Sequence, residues 1–264
     1  MNAATAVFVR TGQGVLNVTE GSGRALVMMA RALRYLPWVV VKRREVLTQM
    51  LIAGVYSLPV ALLVATFTGM VIALQVGLVL ADWGQTARIG SIVGASMCRE
   101  LGPVWIGVIL AARVGSAMAA ELGTMRVSEE IDALEVMSID PAKFLVMPRL
   151  VAMTVMAPIL IAYADLVGIL GGAVVGRYQL NVSYDLYFRW VERSLQAKDI
   201  IYGMLIKGPV FGLTIAVVGC AVGLHVRPSE GAEGVGTATR NSVVISLIML
   251  ILFNYFLTSV IRHL

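Results

Sequence analysis

The stretch CRELGPVWIGVILAARVGSAMAAELGTMRVSEEIDALEVMSIDPAKFLVMPR, residues 98–149, decides how this chain is read. It begins as an apolar helix of membrane grade that nevertheless carries Arg99, Glu100 and Arg113. A charge at bilayer depth costs about 2.5–3.5 kcal/mol even on lenient insertion scales, so these three need a reason. The stretch ends as a short acidic amphipathic segment stopped at Asp140-Pro141, because a residue before proline avoids the α region. A membrane span running straight into a polar docking helix suits a transporter driven by an outside engine.

Composition agrees with a membrane setting. The 264 residues are 58% hydrophobic and 14% charged, where a soluble domain carries about 25% charged residues. The expected fold class is therefore all-α and polytopic. Cys98 and Cys220 both lie in apolar stretches, so neither a disulfide framework nor a cysteine metal site is expected. His225 and His263 are too far apart for a histidine site, and no metal is expected. The opening MNAATAVFVRTGQGV lacks a basic region followed by an apolar one, so no cleaved signal peptide is expected. The net charge of +5 would suggest nucleic acid in a soluble protein. Here the basic residues flank apolar stretches, which makes them topology signals, and no nucleic-acid partner is expected.

Residues 1–45 read as an N-terminal cytoplasmic or interfacial helical segment, and residues 46–264 as the transmembrane domain. From Arg24 to Trp38, apolar residues mix with arginines at helical spacing, as in a helix lying on a membrane surface. A solvated helix without lipid contact has the same pattern. Pro37-Trp38 then forms an elbow, with Trp at home at the interface. Five apolar stretches follow: 45–82, 89–120, 150–176, 200–224 and 241–261. Each is long enough for one span of roughly 20 residues. In the first, Gln75 is a polar group that wants a partner, while Gly69 and Gly77 permit close helix contact. Between the third and fourth, residues 177–199 are aromatic and charged, a short domain or pair of surface helices outside the bilayer.

With the N-terminus inside, twelve Lys/Arg fall in inside segments: Arg10, Arg24, Arg31, Arg34, Lys42, Arg43, Arg44, Arg126, Lys143, Arg149, Arg227 and Arg240. Six fall outside: Arg88, Arg177, Arg189, Arg193, Lys198 and Arg262. The positive-inside rule favours this N-in, C-out arrangement.

Within the second stretch Gly107, Ala111, Gly115 and Ala119 recur every four residues, as do Ala112, Ser116 and Ala120, giving two ridges that let another helix approach. Pro103 removes a backbone donor near residue 99 and loosens that turn. Arg99 and Glu100 either line a polar cavity that meets a substrate headgroup or pair with another helix, with Lys207 and Asp165 as available partners. Arg113, 14 residues beyond Arg99, lies roughly 21 Å along the axis, near the cytoplasmic interface, snorkelling or pairing with Glu121. Ser128 is a candidate cap for the next helix, whose first turn holds Glu129, Glu130 and Asp132 where the helix dipole favours acids. Residues 128–140 are either a solvated connector or a coupling helix that fits a partner's groove.

No G-x-x-x-x-G-K-[ST], H-E-x-x-H or G-x-S-x-G occurs, and no Cys/His pair suggests nucleophilic catalysis. No catalytic residues are expected, and ATP hydrolysis would fall to another subunit. A proton-coupled secondary transporter of a lipophilic substrate is the rival reading, since buried Arg, Glu, Asp and Lys suit a proton relay.

The motifs RELGPV (99–104), AARVGSAMAAELGTM (111–125), SEEIDALEVMSIDP (128–141) and PRL (148–150) resemble the MlaE/YrbE permease family. The resemblance extends to ADLVGILGG (164–172) and GAEGVGTATRNSVV (231–244), and so covers most of residues 45–264. It implies an inner-membrane ABC transporter permease that moves phospholipids between the inner and outer membranes and maintains outer-membrane lipid asymmetry. It further implies a homodimer with cytoplasmic ABC ATPases using ATP and magnesium, a STAS-domain subunit and a periplasmic hexamer of MCE-domain subunits. No cofactor is implied for this chain itself. The family's coupling helix falls on residues 128–140, with Glu129, Glu130, Asp132, Glu135 and Asp140 as its acidic contacts. Its lipid cavity is lined by the helices that carry Gln75, Arg99 and Glu100. Arg113, Glu121, Asp165 and Lys207 are then structural polar groups within the membrane. Related permeases handle sterols or chloroplast lipids, so the motifs leave the lipid open.

Overall fold

Small residues at every fourth position set the architecture. The computed structural model describes residues 3–262, and His263 and the side chain of Arg10 lie outside what is described. Among the described residues there are helices and no strands. Helix α1 (Ala3–Arg34) leads through a tight turn at Leu36–Val39, which contains the expected Pro37-Trp38 elbow. The next elements are α2 (Arg43–Met50), α3 (Leu58–Asp82), α4 (Ile89–Ser96), α5 (Gly102–Leu110), α6 (Ser116–Val127) and α7 (Glu130–Val136). They are followed by α8 (Met147–Tyr178), α9 (Tyr184–Ser194), α10 (Ala197–Ile200), α11 (Gly208–Leu224) and α12 (Gly231–Arg262).

Merged across their bends, these give five helices long and apolar enough to cross a membrane among the described residues: Arg43–Asp82, Thr86–Val127, Ala142–Tyr178, Ala197–Leu224 and Pro228–Val260. The second, at 42 residues and about 1.5 Å rise each, reaches about 60 Å, twice a hydrocarbon core of about 30 Å. Its far end is where α6 hands over to α7.

Along α3 the buried positions Ala61, Ala65, Gly69, Ala73 and Gly77 form a stripe with no bulk, which the buried Leu80 ends. It packs on α8, where a Cβ on Gly69 would overlap the carbonyl of Gly168 and one on Gly171 would crowd that of Thr66. In lipid, this close approach supplies dispersion where the hydrophobic drive is missing. The second span shows the same device toward α11. Gly219 backs onto the Gly115 carbonyl, Gly223 onto that of Ala119, and Ser242 on α12 donates to Gly115 O at 3.1 Å. Of the two ridges expected on that span, Gly107–Ala111–Gly115–Ala119 is buried. The Ala112–Ser116–Ala120 ridge faces outward, and Ser116 turns its hydroxyl back to Ala112 O.

Residues 177–199 hold the helix α9 and most of α10, and α9 is packed into the bundle. Ser183 caps α9 by accepting from Leu186 N, and the helix packs on α4 and α8. Tyr187 is 1% exposed and its hydroxyl donates to Ile169 O at 3.1 Å. The amphipathic aromatic pattern is thus a key driven into the end of the bundle. Its outer face carries Trp190 between the guanidinium groups of Arg88 and Arg193.

Candidate functional site

Pro103 lacks an N–H, so an α-helical pattern leaves the Arg99 carbonyl without its donor. The chain answers by widening Met97–Leu101 into a π turn, a form common at functional sites. A second π turn, Ile201–Lys207, lies against it, with Gly203 so close to the Cys98 carbonyl that no Cβ fits. Lys207 Nζ then donates to Arg99 O at 2.7 Å and pairs with Glu100 Oε2 at 3.0 Å. Glu100 also accepts from Asn254 Nδ2 at 2.9 Å and Thr258 Oγ1 at 2.8 Å, both on α12. One carboxylate thereby ties three spans together.

Arg99 pairs elsewhere. Its Nε and Nη2 donate to the two oxygens of Asp199 at 3.0 and 2.9 Å, a bidentate fork of the strong kind. Asp199 also accepts from Gln196 N at 3.1 Å, which caps α10. Reading the sequence missed Asp199, although it stands at the polar edge where the fourth apolar stretch begins. Asp165, the other partner considered, takes neither charge. It is 8% exposed on α8, beside Gly102, and its Oδ1 has no hydrogen-bond partner among the described residues.

Glu100, Asn254 and Thr258 form the polar end of a cavity of about 520 Å³. Its other walls are apolar and include Val104, Phe211, Leu250, Ile251 and Tyr255. A volume of this order is that of a small-molecule site with a few convergent polar groups. Of the three expected substrate contacts, Glu100 lines this cavity, whereas Arg99 is not among its lining residues and is half exposed in its pair with Asp199. Gln75 is exposed on α3, off the stripe that packs on α8, and is not brought to the cavity.

Arg113 also occupies a π turn, Ala111–Gly115, and is exposed. Its expected partner Glu121 is taken by Arg149 at 2.8 Å, which corrects the Arg113–Glu121 pairing. Arg149 is 3% exposed and also donates to Leu145 O at 2.7 Å. A basic residue expected at the membrane edge is instead a buried tie between the second and third spans.

The acidic segment is shorter than residues 128–140. Helix α7 covers Glu130–Val136, and Ser128 serves the end of α6, donating to Thr124 O at 3.0 Å and Glu130 Oε1 at 3.0 Å. The helix start is Glu129 itself, with φ 60°, and Ser138 beyond the far end also has φ 60°. Two left-handed residues without glycine are unusual, and here they bound a rigid lever. Ile131 is buried and anchors it, and Asp132 pairs with Arg126. Glu129, Glu130 and Glu135 are exposed, beside Val136 at 86% and Met137 at 61% exposure. Exposed acidic residues thus stand beside exposed apolar ones on and just after this short helix.

Asp140 does not end α7. Its Oδ1 accepts from Ala142 N at 2.8 Å, starting the third span, and its Oδ2 accepts from the Tyr35 hydroxyl at 2.9 Å. That hydrogen bond first, and the carboxylate's charge second, raise the Tyr35 hydroxyl above its usual pKa, so it remains the donor. Among the described residues, no three His, Cys, Asp or Glu side chains gather as a set for a metal ion.

The family described as Permease MlaE matches residues 46–260. A probable ABC transporter permease protein of Synechocystis is 38% identical over 253 residues, covering 96% of this chain and 88% of that protein. The intermembrane phospholipid transport system permease protein MlaE of Haemophilus influenzae is 32% identical over 250 residues, covering 94% of this chain and 95% of that protein. A chloroplastic protein of Arabidopsis thaliana, TRIGALACTOSYLDIACYLGLYCEROL 1, is 37% identical over 216 residues, or 82% of this chain and 61% of that protein. The matched region holds the paired intramembrane charges, the cavity and the acidic lever, and with five candidate spans this multi-pass chain belongs to the MlaE permease family of ABC transporter permeases.

Proposed function

We propose that this chain is the transmembrane subunit of an ABC transporter that moves phospholipid between the inner and outer membranes of a bacterium and so maintains outer-membrane asymmetry. The observation that carries the reading is the cavity of about 520 Å³, apolar along its walls and polar at Glu100, Asn254 and Thr258. Acyl tails fit the apolar walls, and a headgroup meets the polar end. Lys207 neutralises Glu100 and the two α12 donors fix its oxygens, so the polar end is preorganised. Arg99, half exposed in its pair with Asp199, keeps further donors that suit a phosphate. A phospholipid named in the H. influenzae relative's description supports the substrate class.

In this reading two copies form the core. The fifth span supports that, since only 11% of its most apolar window is buried, against 50% in the second, third and fourth. The acidic lever, with Glu129, Glu130, Asp132, Glu135 and Asp140, meets a cytoplasmic ABC ATPase that binds ATP with magnesium. A STAS-domain subunit and a periplasmic MCE-domain hexamer complete the complex, in the inner membrane with the N-terminus cytoplasmic and the C-terminus periplasmic. Nucleotide-driven closure of the ATPases pulls the lever, shifts the second and third spans, and empties the cavity.

Native mass spectrometry of the complex drawn from its own membrane in mild detergent tests this. The expected result is a permease dimer with ATPase subunits and bound phospholipid. A lone permease without an ATPase, with transport that follows the proton gradient at constant ATP, would overturn it in favour of a proton-coupled secondary transporter.

A further inference from the structure

The elbow that follows the N-terminal helix touches residues 140–144, just beyond the acidic lever, through a small set of polar and aromatic contacts. Tyr35, just past the end of α1, donates to Asp140 at 2.9 Å. Lys143 Nζ lies 3.5 Å from the centre of the Trp38 ring and 5.7 Å from that of Tyr35, a cation held between two aromatic faces. Lys42 Nζ, paired with Glu45 at 3.1 Å, stands 3.9 Å over the ring of Phe144. Three residues of the elbow and its exit, Tyr35, Trp38 and Lys42, thus grip residues 140–144. Farther back along α1 the two parts are held apart, since a cleft of about 630 Å³ separates Arg24, Val27 and Arg31 from Arg126, Ile131 and Glu135. Helix α1 also packs on Ala142–Val146, with Ala32 1% exposed, and the elbow contacts add polar and aromatic ties to that packing.

The place they grip matters. Asp140 is the residue that starts the third span by capping Ala142, two residues beyond the left-handed Ser138. A pull on Asp140 is therefore a pull on the hinge between α7 and the third span. On the other side of the grip, α1 and its exit expose Arg34, Arg43 and Arg44 together with Leu26, Leu33, Leu36, Val40 and Val41. Exposed arginines interleaved with exposed aliphatic residues fit an anionic bilayer surface.

We propose that Tyr35, Trp38 and Lys143 form a latch through which binding of the N-terminal segment to an anionic leaflet sets the position of the ATPase-docking lever, making transporter turnover depend on the charge of the membrane. The proposal rests on the reading of Glu130–Val136 as the docking lever. Tyr35, Trp38 and Lys143 are positioning residues here, acting through Asp140 and the lever.

The test uses the whole complex reconstituted in vesicles of phosphatidylcholine in which phosphatidylglycerol replaces a rising share of the lipid. ATP turnover of the unaltered complex is expected to change severalfold across the series. Tyr35→Phe and Trp38→Ala, with the same subunits copurifying, should flatten that response, while Trp38→Tyr, which keeps an aromatic face for Lys143, should retain it. A Tyr35→Phe curve that overlays the unaltered one, or an unaltered complex indifferent to phosphatidylglycerol, would overturn the latch. Glu129→Lys with Glu130→Lys separates the two claims. Lost copurification or lost turnover in that variant upholds the lever even if the latch fails, and normal behaviour in both removes the lever on which the latch rests.

Discussion

Lys207 Nζ stands 3.0 Å from Glu100 Oε2 and 2.7 Å from the carbonyl oxygen of Arg99, so one ammonium repairs both a charge and a backbone defect. The defect is the carbonyl that Pro103 leaves without a donor, and the charge is the carboxylate at the polar end of the cavity. Lys207 is 2% exposed, which makes its two bonds the condition of its burial.

Removing that ammonium alone should be costly. Lys207→Met leaves the Arg99 carbonyl unpaired and Glu100 with neutral donors only, a loss of about 1–3 kcal/mol. Thermal unfolding of the purified permease in detergent reads this as a lowered midpoint. Glu100→Gln combined with Lys207→Met should recover part of the loss, since the double change removes the uncompensated charge as well. Additive losses in the double variant would show that the two side chains are not coupled.

Arg99 and Asp199 separate a headgroup role from a structural one. Arg99→Ala and Asp199→Asn both break the bidentate fork seen at 3.0 and 2.9 Å. Only Arg99→Ala also removes the guanidinium donors that Asp199→Asn leaves in place. Lipid transport by vesicle-to-vesicle transfer should fall severalfold in Arg99→Ala and hold near normal in Asp199→Asn at equal expression. Equal losses in the two would assign Arg99 to the ion pair alone.

The α3–α8 contact gives a stability prediction with an internal control. A side chain at Gly69 meets the Gly168 backbone, which cannot yield as a flexible side chain can. Gly69→Val should therefore lower membrane yield and the unfolding midpoint, by about 1–3 kcal/mol as overpacking commonly does. Gly21 on α1 has nothing within 4 Å of a Cβ, so Gly21→Ala should be neutral or slightly stabilising. A Gly69→Val protein that melts like the parent would mean that the two helices are not held this close.

Much of the architecture was legible because it is written locally. Charge-free apolar stretches announce spans, and the four-residue spacing from Gly107 to Ala119 announces a packing ridge wherever the partner lies. The Pro37-Trp38 elbow and a short acidic helix after the second span were likewise readable in a few consecutive residues. What escaped depends on residues far apart in the chain. Asp199 lies 100 positions from Arg99, Asn254 lies 154 from Glu100, and Tyr35 lies 105 from Asp140. Ser128 misled because a serine before acidic residues caps a following helix as readily as it closes a preceding one, and the left-handed Glu129 decided between them. Arg149 misled because a basic residue near a span end ordinarily reports topology, whereas here Glu121 draws it inward.

The central claim is that the cavity beneath Glu100 holds the transported lipid, and filling it tests this most directly. Ile251→Trp places a large ring in a wall of the cavity without touching Glu100, Lys207 or the acidic lever. Phospholipid bound per permease dimer, measured by native mass spectrometry on the intact complex, should fall to background, with subunit composition unchanged and vesicle-to-vesicle transfer lost in parallel. An intact Ile251→Trp complex that carries and transfers as much phospholipid as the parent would contradict the account.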